Sequence, residues 1–170
     1  MKIIEAMKRI KHLQEKCADL REKVARYCAD LDFETPAYTD QGAQITEWLQ
    51  SHEDTIQEIA KLRVAISRTN LATSVTIELG GKSVTKTLAE WIQRRKDLAK
   101  LDLEMWSKLG DRGLKEGVMQ NTTGGTLQVK IRRYYDAPAR DNRLALYKSE
   151  PTIIDGQLEV TNAVTDLIEV

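Results

Sequence analysis

Histidine and cysteine are scarce in this 170-residue chain, two of each, and neither falls at a spacing that metal or redox chemistry uses. A metal site needs three or four converging ligands, and His12, His52, Cys17 and Cys28 form no HExxH or CxxC pattern. No metal and no other cofactor is expected. Cys17 and Cys28 are eleven residues apart on one predicted helix. That is ~16 Å along its axis, too far for a bridge. They read as packed, reduced thiols of a cytosol-type compartment. Net charge is lacking too: 26 basic residues balance 26 acidic ones, so no polyelectrolyte signal points to nucleic acid or a membrane surface. The basic N-terminus precedes no apolar core of signal-peptide length, and no segment is long and apolar enough to span a bilayer. Asn121-Thr122-Thr123 matches a glycosylation acceptor, which without a secretory signal reads as coincidence. Neither Gly80-Gly81 nor Gly124-Gly125 is followed by the Lys-Ser/Thr of a phosphate loop. There is no internal repeat and no low-complexity tract.

What is there is a long apolar seam. Ile3, Ile10, Cys17, Val24 and Leu31 recur every seven residues, with Ala6, Leu13, Leu20 and Tyr27 three places on. A second arm repeats the pattern with Ile45, His52, Ile59, Ile66 and Thr73, accompanied by Trp48, Thr55, Leu62 and Thr69. A coiled-coil period held for about four heptads per arm predicts two antiparallel helices. The first runs from about Lys2 to Asp30. Asp32 to Tyr38 turns the chain, with Pro36 preventing continuation. Thr39 or Asp40 caps the second, which runs to about Thr73. Residues 2–31 carry eight cations against five anions, and residues 32–60 carry seven anions and no cation. A basic rod followed by an acidic one favours pairing within the chain.

Val75–Leu79 and Lys82–Thr85 flank Gly80-Gly81, the signature of a β-hairpin that must pack on something to persist. Thr87-Leu88-Ala89-Glu90 is a capping box opening a third helix, whose predicted apolar face is Leu88, Trp91, Ile92, Leu98, Leu101, Met105 and Leu109. Gly110 to Gly113 ends it, and a polar stretch to Gly124-Gly125 reads as a mobile loop. Alternation from Leu127 to Arg133 predicts a strand with one buried face. Asp136 caps a short helix reaching about Tyr147, and a last helix begins at Pro151 and passes Ile154, Leu158, Thr161 and Val164. The expected fold is mainly α (α+β), one domain of ordinary size. Within it, 1–110 holds the helical hairpin, β-hairpin and third helix, 111–125 is a flexible loop, and 126–170 is the subunit-contact region.

Met1–Ala6, the run Ile66-Ser67-Arg68-Thr69-Asn70 with Thr73, and Leu88-Ala89-Glu90 carry a resemblance, with a weaker echo in Asn162 and Thr165-Asp166-Leu167. Over about the first hundred residues the chain resembles an uncharacterised helical family of bacteria and phages, some members of which are labelled septicolysin; the segment 126–149 departs from the pattern. The resemblance implies a self-assembling helical hairpin and brings no catalytic residues.

Four constellations could carry chemistry. His52 on a seam position reads as a buried, register-setting histidine. Cys17 and His52 can come level across antiparallel arms, but a thiol in an apolar seam is a poor nucleophile, and packing is the preferred reading. Arg68, Thr69, Asn70, Asn162 and Asp166 are expected to form a polar structural clasp, with an Arg68–Asp166 ion pair. Lys130, Arg132, Arg133 and Tyr134 mix cations with aromatics as some single-strand nucleic-acid surfaces do. A strand docking on the acidic tail of another copy explains them as well. That tail carries Glu150, Asp155, Glu159, Asp166 and Glu169 with no cation.

The expected function is therefore a non-enzymatic, self-associating assembly protein. Given the phage context of the resemblance, a capsid-associated or decoration component of the virion is the specific expectation, located in the cytoplasm or the virion. The expected partners are further copies of itself and other virion proteins. A nucleic-acid-binding regulator would need Arg94-Arg95-Lys96 and Arg132-Arg133 to form one basic face. A membrane-acting toxin would need an amphipathic insertion segment, which the charged helix faces oppose.

Overall fold

The heptad seams fold as their spacing dictates. A computed structural model describing residues 1–169 begins with helix α1 (Ile3–Tyr27), followed by helix α2 (Gln41–Ala72). The two run antiparallel around a core of Leu13, Cys17 and Ile59, with Ile10 and Leu62 packed against it. Tyr27, Tyr38 and Trp48 close the turn end as a ring cluster with centroids 5.4–5.9 Å apart. Gln41 ties that end by donating to the Tyr27 carbonyl at 2.8 Å. Of the two candidate caps, Asp40 serves: its carboxylate accepts from Ala43 N–H at 2.9 Å. Seam threonines satisfy themselves, Thr55 donating to the Ser51 carbonyl and Thr69 to that of Ala65. Helix α1 stops at Tyr27, short of Asp30, and Leu31 is left exposed.

Chain segments cluster into two compact units: Met1–Ser74 with Thr87–Ala89 and the chain from Leu158 on, and Val75–Lys86 with Glu90–Gln157. In the second unit, strands β1 (Ser74–Leu79) and β2 (Lys82–Thr87) pair through Gly80 and Gly81, both at positive φ (57° and 76°) as a two-residue hairpin turn requires. Val75, Ile77 and Leu79 alternate inward, and buried Trp91 donates its indole N–H to the Val75 carbonyl at 3.0 Å.

The third helix departs from its predicted face. It comprises α3 (Leu88–Gln93), a π-helical turn at Arg94–Leu98 and α4 (Ala99–Trp106). The Ala99 N–H reaches back five residues to the Arg94 carbonyl. One extra residue in the turn rotates everything beyond it by about 100°. Leu88 and Trp91 are buried as expected, but Ala99 then takes the inward position. Leu98, Leu101 and Met105 are exposed instead.

Three further expectations are corrected. The stretch 111–125 is not simply a loop, because Gly117–Gln120 forms strand β3, paired antiparallel with β4 (Thr126–Val129). Asn121 organises the turn, its side-chain oxygen accepting from Thr123 O–H at 2.9 Å and Gly125 N–H at 2.7 Å. The strand ends at Val129 rather than Arg133, because Ile131 gives its N–H to the Glu116 carboxylate at 3.0 Å, outside the ladder. The two predicted C-terminal helices are one, α5 (Ala137–Val164), with Pro151 inside it. Proline there removes one helical hydrogen bond, while burial of Glu150, Ile154, Leu158 and Thr161 holds the helix across it. No helix among the described residues is long and apolar enough to cross a membrane.

Candidate functional site

The polar clasp exists, with different members. Within the first unit, Lys2 and Asp166 form an antiparallel backbone bridge. Ile3 N–H donates to the Thr165 carbonyl at 3.1 Å, and Leu167 N–H to that of Met1 at 2.8 Å. The Lys2 ammonium donates to Asp166 at 2.7 Å and to the Val164 carbonyl at 2.8 Å. Its hydrogen bond and charge hold the Asp166 carboxyl below the usual carboxylate range. Buried Thr69 accepts from Ile168 N–H at 2.9 Å. Asp166 is thus paired by Lys2 and not by Arg68, because Arg68 lies one residue before inward Thr69 and is exposed on the outer side of α2. Asn162 is half-buried beside Thr161. Asn70 points a buried Oδ1 that has no hydrogen-bond partner among the described residues. Clasp geometry joins the two ends of the chain through backbone hydrogen bonds.

Of the basic–aromatic cluster, Arg133 is already committed. Its guanidinium makes a two-pronged pair with Asp111, both bonds at 2.7 Å. That pairing, hydrogen bond first, holds Asp111 below the usual carboxylate range and Arg133 above its own. Lys130 and Arg132 stay exposed, and Tyr134 is 89% exposed.

Sequence reading missed a half-buried arginine and its buried acidic partner. Arg94, at the start of the π turn, is bonded at two points to Glu150, 2.6 and 3.0 Å, and also to Asp102. The Tyr147 ring lies 5.4 Å from the guanidinium. Hydrogen bonding to Glu150, opposed by burial, raises the Arg94 pKa beyond its ordinary value. Each of its three nitrogens donates to a carboxylate, two to Glu150 and one to Asp102, so it fastens these elements together. Arg95 likewise pairs with Asp155. Glu150 fell between the two predicted C-terminal helices, so no inward position could be read for it; it becomes inward only because α5 is continuous. The acidic tail is consequently less free than its composition implies: Glu150, Asp155 and Asp166 are all paired within the chain.

The β3–β4 ribbon is the most exposed apolar element. Its register sets Met119 opposite Leu127 and Gly117 opposite Val129. Period-two alternation places these four on one face. Met119 and Leu127 remain 61% and 58% exposed, and Val118 on the other face 68%. The ribbon stands as a two-stranded sheet whose outer edges pair with nothing among the described residues.

His52 and Cys17 both line one trough between α1 and α2 with Arg21 and Arg63, but Ile56 is the α2 residue level with Cys17 and His52 lies about a turn away. Cys17 is also packed against Leu13 and Ile59. His12 is exposed beside Glu15.

No family model and no curated protein matches the sequence. Among solved structures, the crystal structure of a functionally unknown conserved protein from Corynebacterium diphtheriae is similar over 99% of each chain, with a TM-score of 0.56 and 20% identity. The chain shares the fold of that protein.

Proposed function

We propose that this chain is a non-enzymatic, self-associating assembly protein and that the β3–β4 ribbon is its assembly element. The observation that carries the reading is the uncovered face of Met119, Leu127 and Val129 on a sheet with two open edges. A two-stranded ribbon is marginal in water by itself, and unpaired strand edges invite strand addition. Lys130 and Arg132, exposed just past β4, supply charge beside that face. The acidic residues left for them on the C-terminal segment of another copy are Glu159 and Glu169, since the others are paired internally. A virion component is the setting the family resemblance suggests.

The nucleic-acid reading is weakened because Arg94, Arg95 and Arg133, three of the five arginines and lysines it needs, are ion-paired within the chain. Mass in solution across a concentration series tests the proposal. Met119→Lys with Leu127→Lys should lower the assembled mass while leaving helical content unchanged, and neutralising Lys130 and Arg132 should weaken association as added salt does. A protein that stays monomeric at every concentration would overturn it.

A further inference from the structure

A second uncovered surface lies on the α1–α2 pair, far from any ribbon residue in sequence. On α2, Leu49, Glu53, Ile56 and Ala60 follow one another at spacings of four, three and four, a single helical stripe. On α1, Gln14, Ala18, Arg21 and Ala25 repeat the same spacing. The α2 stripe is tall: Leu49 and Ile56 are 56% and 47% exposed. The α1 stripe is low, with alanines at two of its four positions. Between them runs a groove of about 290 Å³ lined by Leu20, Val24, Ala25, Trp48 and Leu49, with Arg21 and His52 at its end.

Charge follows the same division. Sequence composition suggested that basic α1 and acidic α2 satisfy each other, yet among the described residues one ion pair, Arg9–Glu58 at 2.9 Å, joins them. That pair sits on the opposite side of α2 from Leu49, since residue 58 is nine positions on, a half-turn out of phase. Arg21, central in the low stripe, and Glu53, central in the tall one, make no ion pair among the described residues.

We infer that this flank is a two-fold interface with a second copy of the chain, in which the Leu49–Ile56 ridge of each copy fills the groove of the other and Glu53 of each meets Arg21 of the other. The surface is self-complementary as an isologous contact requires. The two helices run antiparallel, and Trp48 and Leu49 are level with Leu20 and Val24 while Ile56 is level with Cys17. A two-fold axis parallel to the helices therefore lays each ridge over the other copy's low stripe at the same level, setting Leu49 on Ala25 and Ile56 on Ala18 with Glu53 beside Arg21. The occupant is a second copy because the ridge that fits the groove, and the acid that fits Arg21, are on this chain. The inference rests on the self-association reading and adds a surface to it.

Charge exchange tests it by sedimentation equilibrium, in the full chain and in the Met119→Lys/Leu127→Lys background. In that background a dimer should remain. Arg21→Glu or Glu53→Arg should each raise the dissociation constant roughly tenfold or more, and the double exchange should bring it back to within about threefold. Both positions are solvent-facing in a single copy, and circular dichroism confirms that each variant folds. If both single variants leave the mass unchanged while the ribbon variant lowers it, this inference falls and the ribbon reading stands. If the charge variants dissociate the protein and the ribbon variant does not, the reverse holds. A wild type that is monomeric throughout removes both.

Discussion

Ile168 donates its backbone N–H to the hydroxyl of Thr69 at 2.9 Å, across ninety-nine residues of sequence. Thr69 is 1% exposed and its hydroxyl in turn donates to the Ala65 carbonyl at 2.8 Å. The end of α2 therefore fixes the returning C-terminal segment through one hydroxyl. Thr69→Val keeps the shape and strands the Ile168 N–H, at a cost of about 1–3 kcal/mol. Thr69→Ser keeps the bond and should cost less than the valine. Urea midpoints of the three proteins measure this; a valine variant as stable as the parent would show that the bond carries no stability.

Glu150 is 3% exposed and holds Arg94 at two points. Glu150→Ala leaves the guanidinium facing an apolar gap with only Asp102, so about 3 kcal/mol should be lost. Removing both partners, Arg94→Met with Glu150→Leu, should cost less than the Glu150→Ala change alone, because no uncompensated charge remains. Thermal unfolding of the singles and the double decides; additive losses would contradict the pairing.

Acid should loosen the clasp in a predictable direction. Lys2 lowers the Asp166 pKa and Arg133 lowers that of Asp111. A carboxyl whose folded pKa is depressed contributes stability that is complete above the usual carboxylate range, near 4, and is lost as pH falls through the lower folded value. Carboxyl titration by NMR should place Asp166 below an ordinary exposed aspartate, and Lys2→Met should return it to the ordinary range. An Asp166 that titrates identically in the parent and the Lys2 variant would refute the link.

The phase of the third helix gives a sharper test of packing. Ala99 is fully buried, while Met105 is 72% exposed. Ala99→Leu should overpack and cost about 1–3 kcal/mol, whereas Met105→Gln should change stability by about 0.5 kcal/mol or less. The predicted apolar face, with Met105 inward, demands the opposite order.

These tests mark where the sequence was legible. The seams of α1 and α2, the Asp40 cap, the Gly80-Gly81 turn and inward Leu88 and Trp91 follow from periodicity and turn chemistry, which act over a few residues. Thr69 was found by its polarity at the end of an apolar seam, and Asp166 as an acid expected to pair with Arg68. Lys2 was missed as Asp166's partner because nothing local distinguishes it from other basic residues of α1. Strand β3 escaped because Gly117–Gln120 buries neither face and so leaves no alternation to read. Pro151 and Gly156 argue locally for a break in α5, and long-range burial outweighs them. The Arg94 site was missed for a similar reason: its acids come from positions 102 and 150, and it needs a helix that is not uniformly wound.

That irregular winding carries an evolutionary corollary. Because five residues occupy Arg94–Leu98 where a regular helix would use four, loss of a single codon there would leave Trp91 and Ala99 seven positions apart, both still inward on a regular helix. Leu101 and Met105 would stay outward, and only the wide turn that starts at Arg94 would be gone. A gene could thus gain or lose that one residue without trading either flanking surface for another.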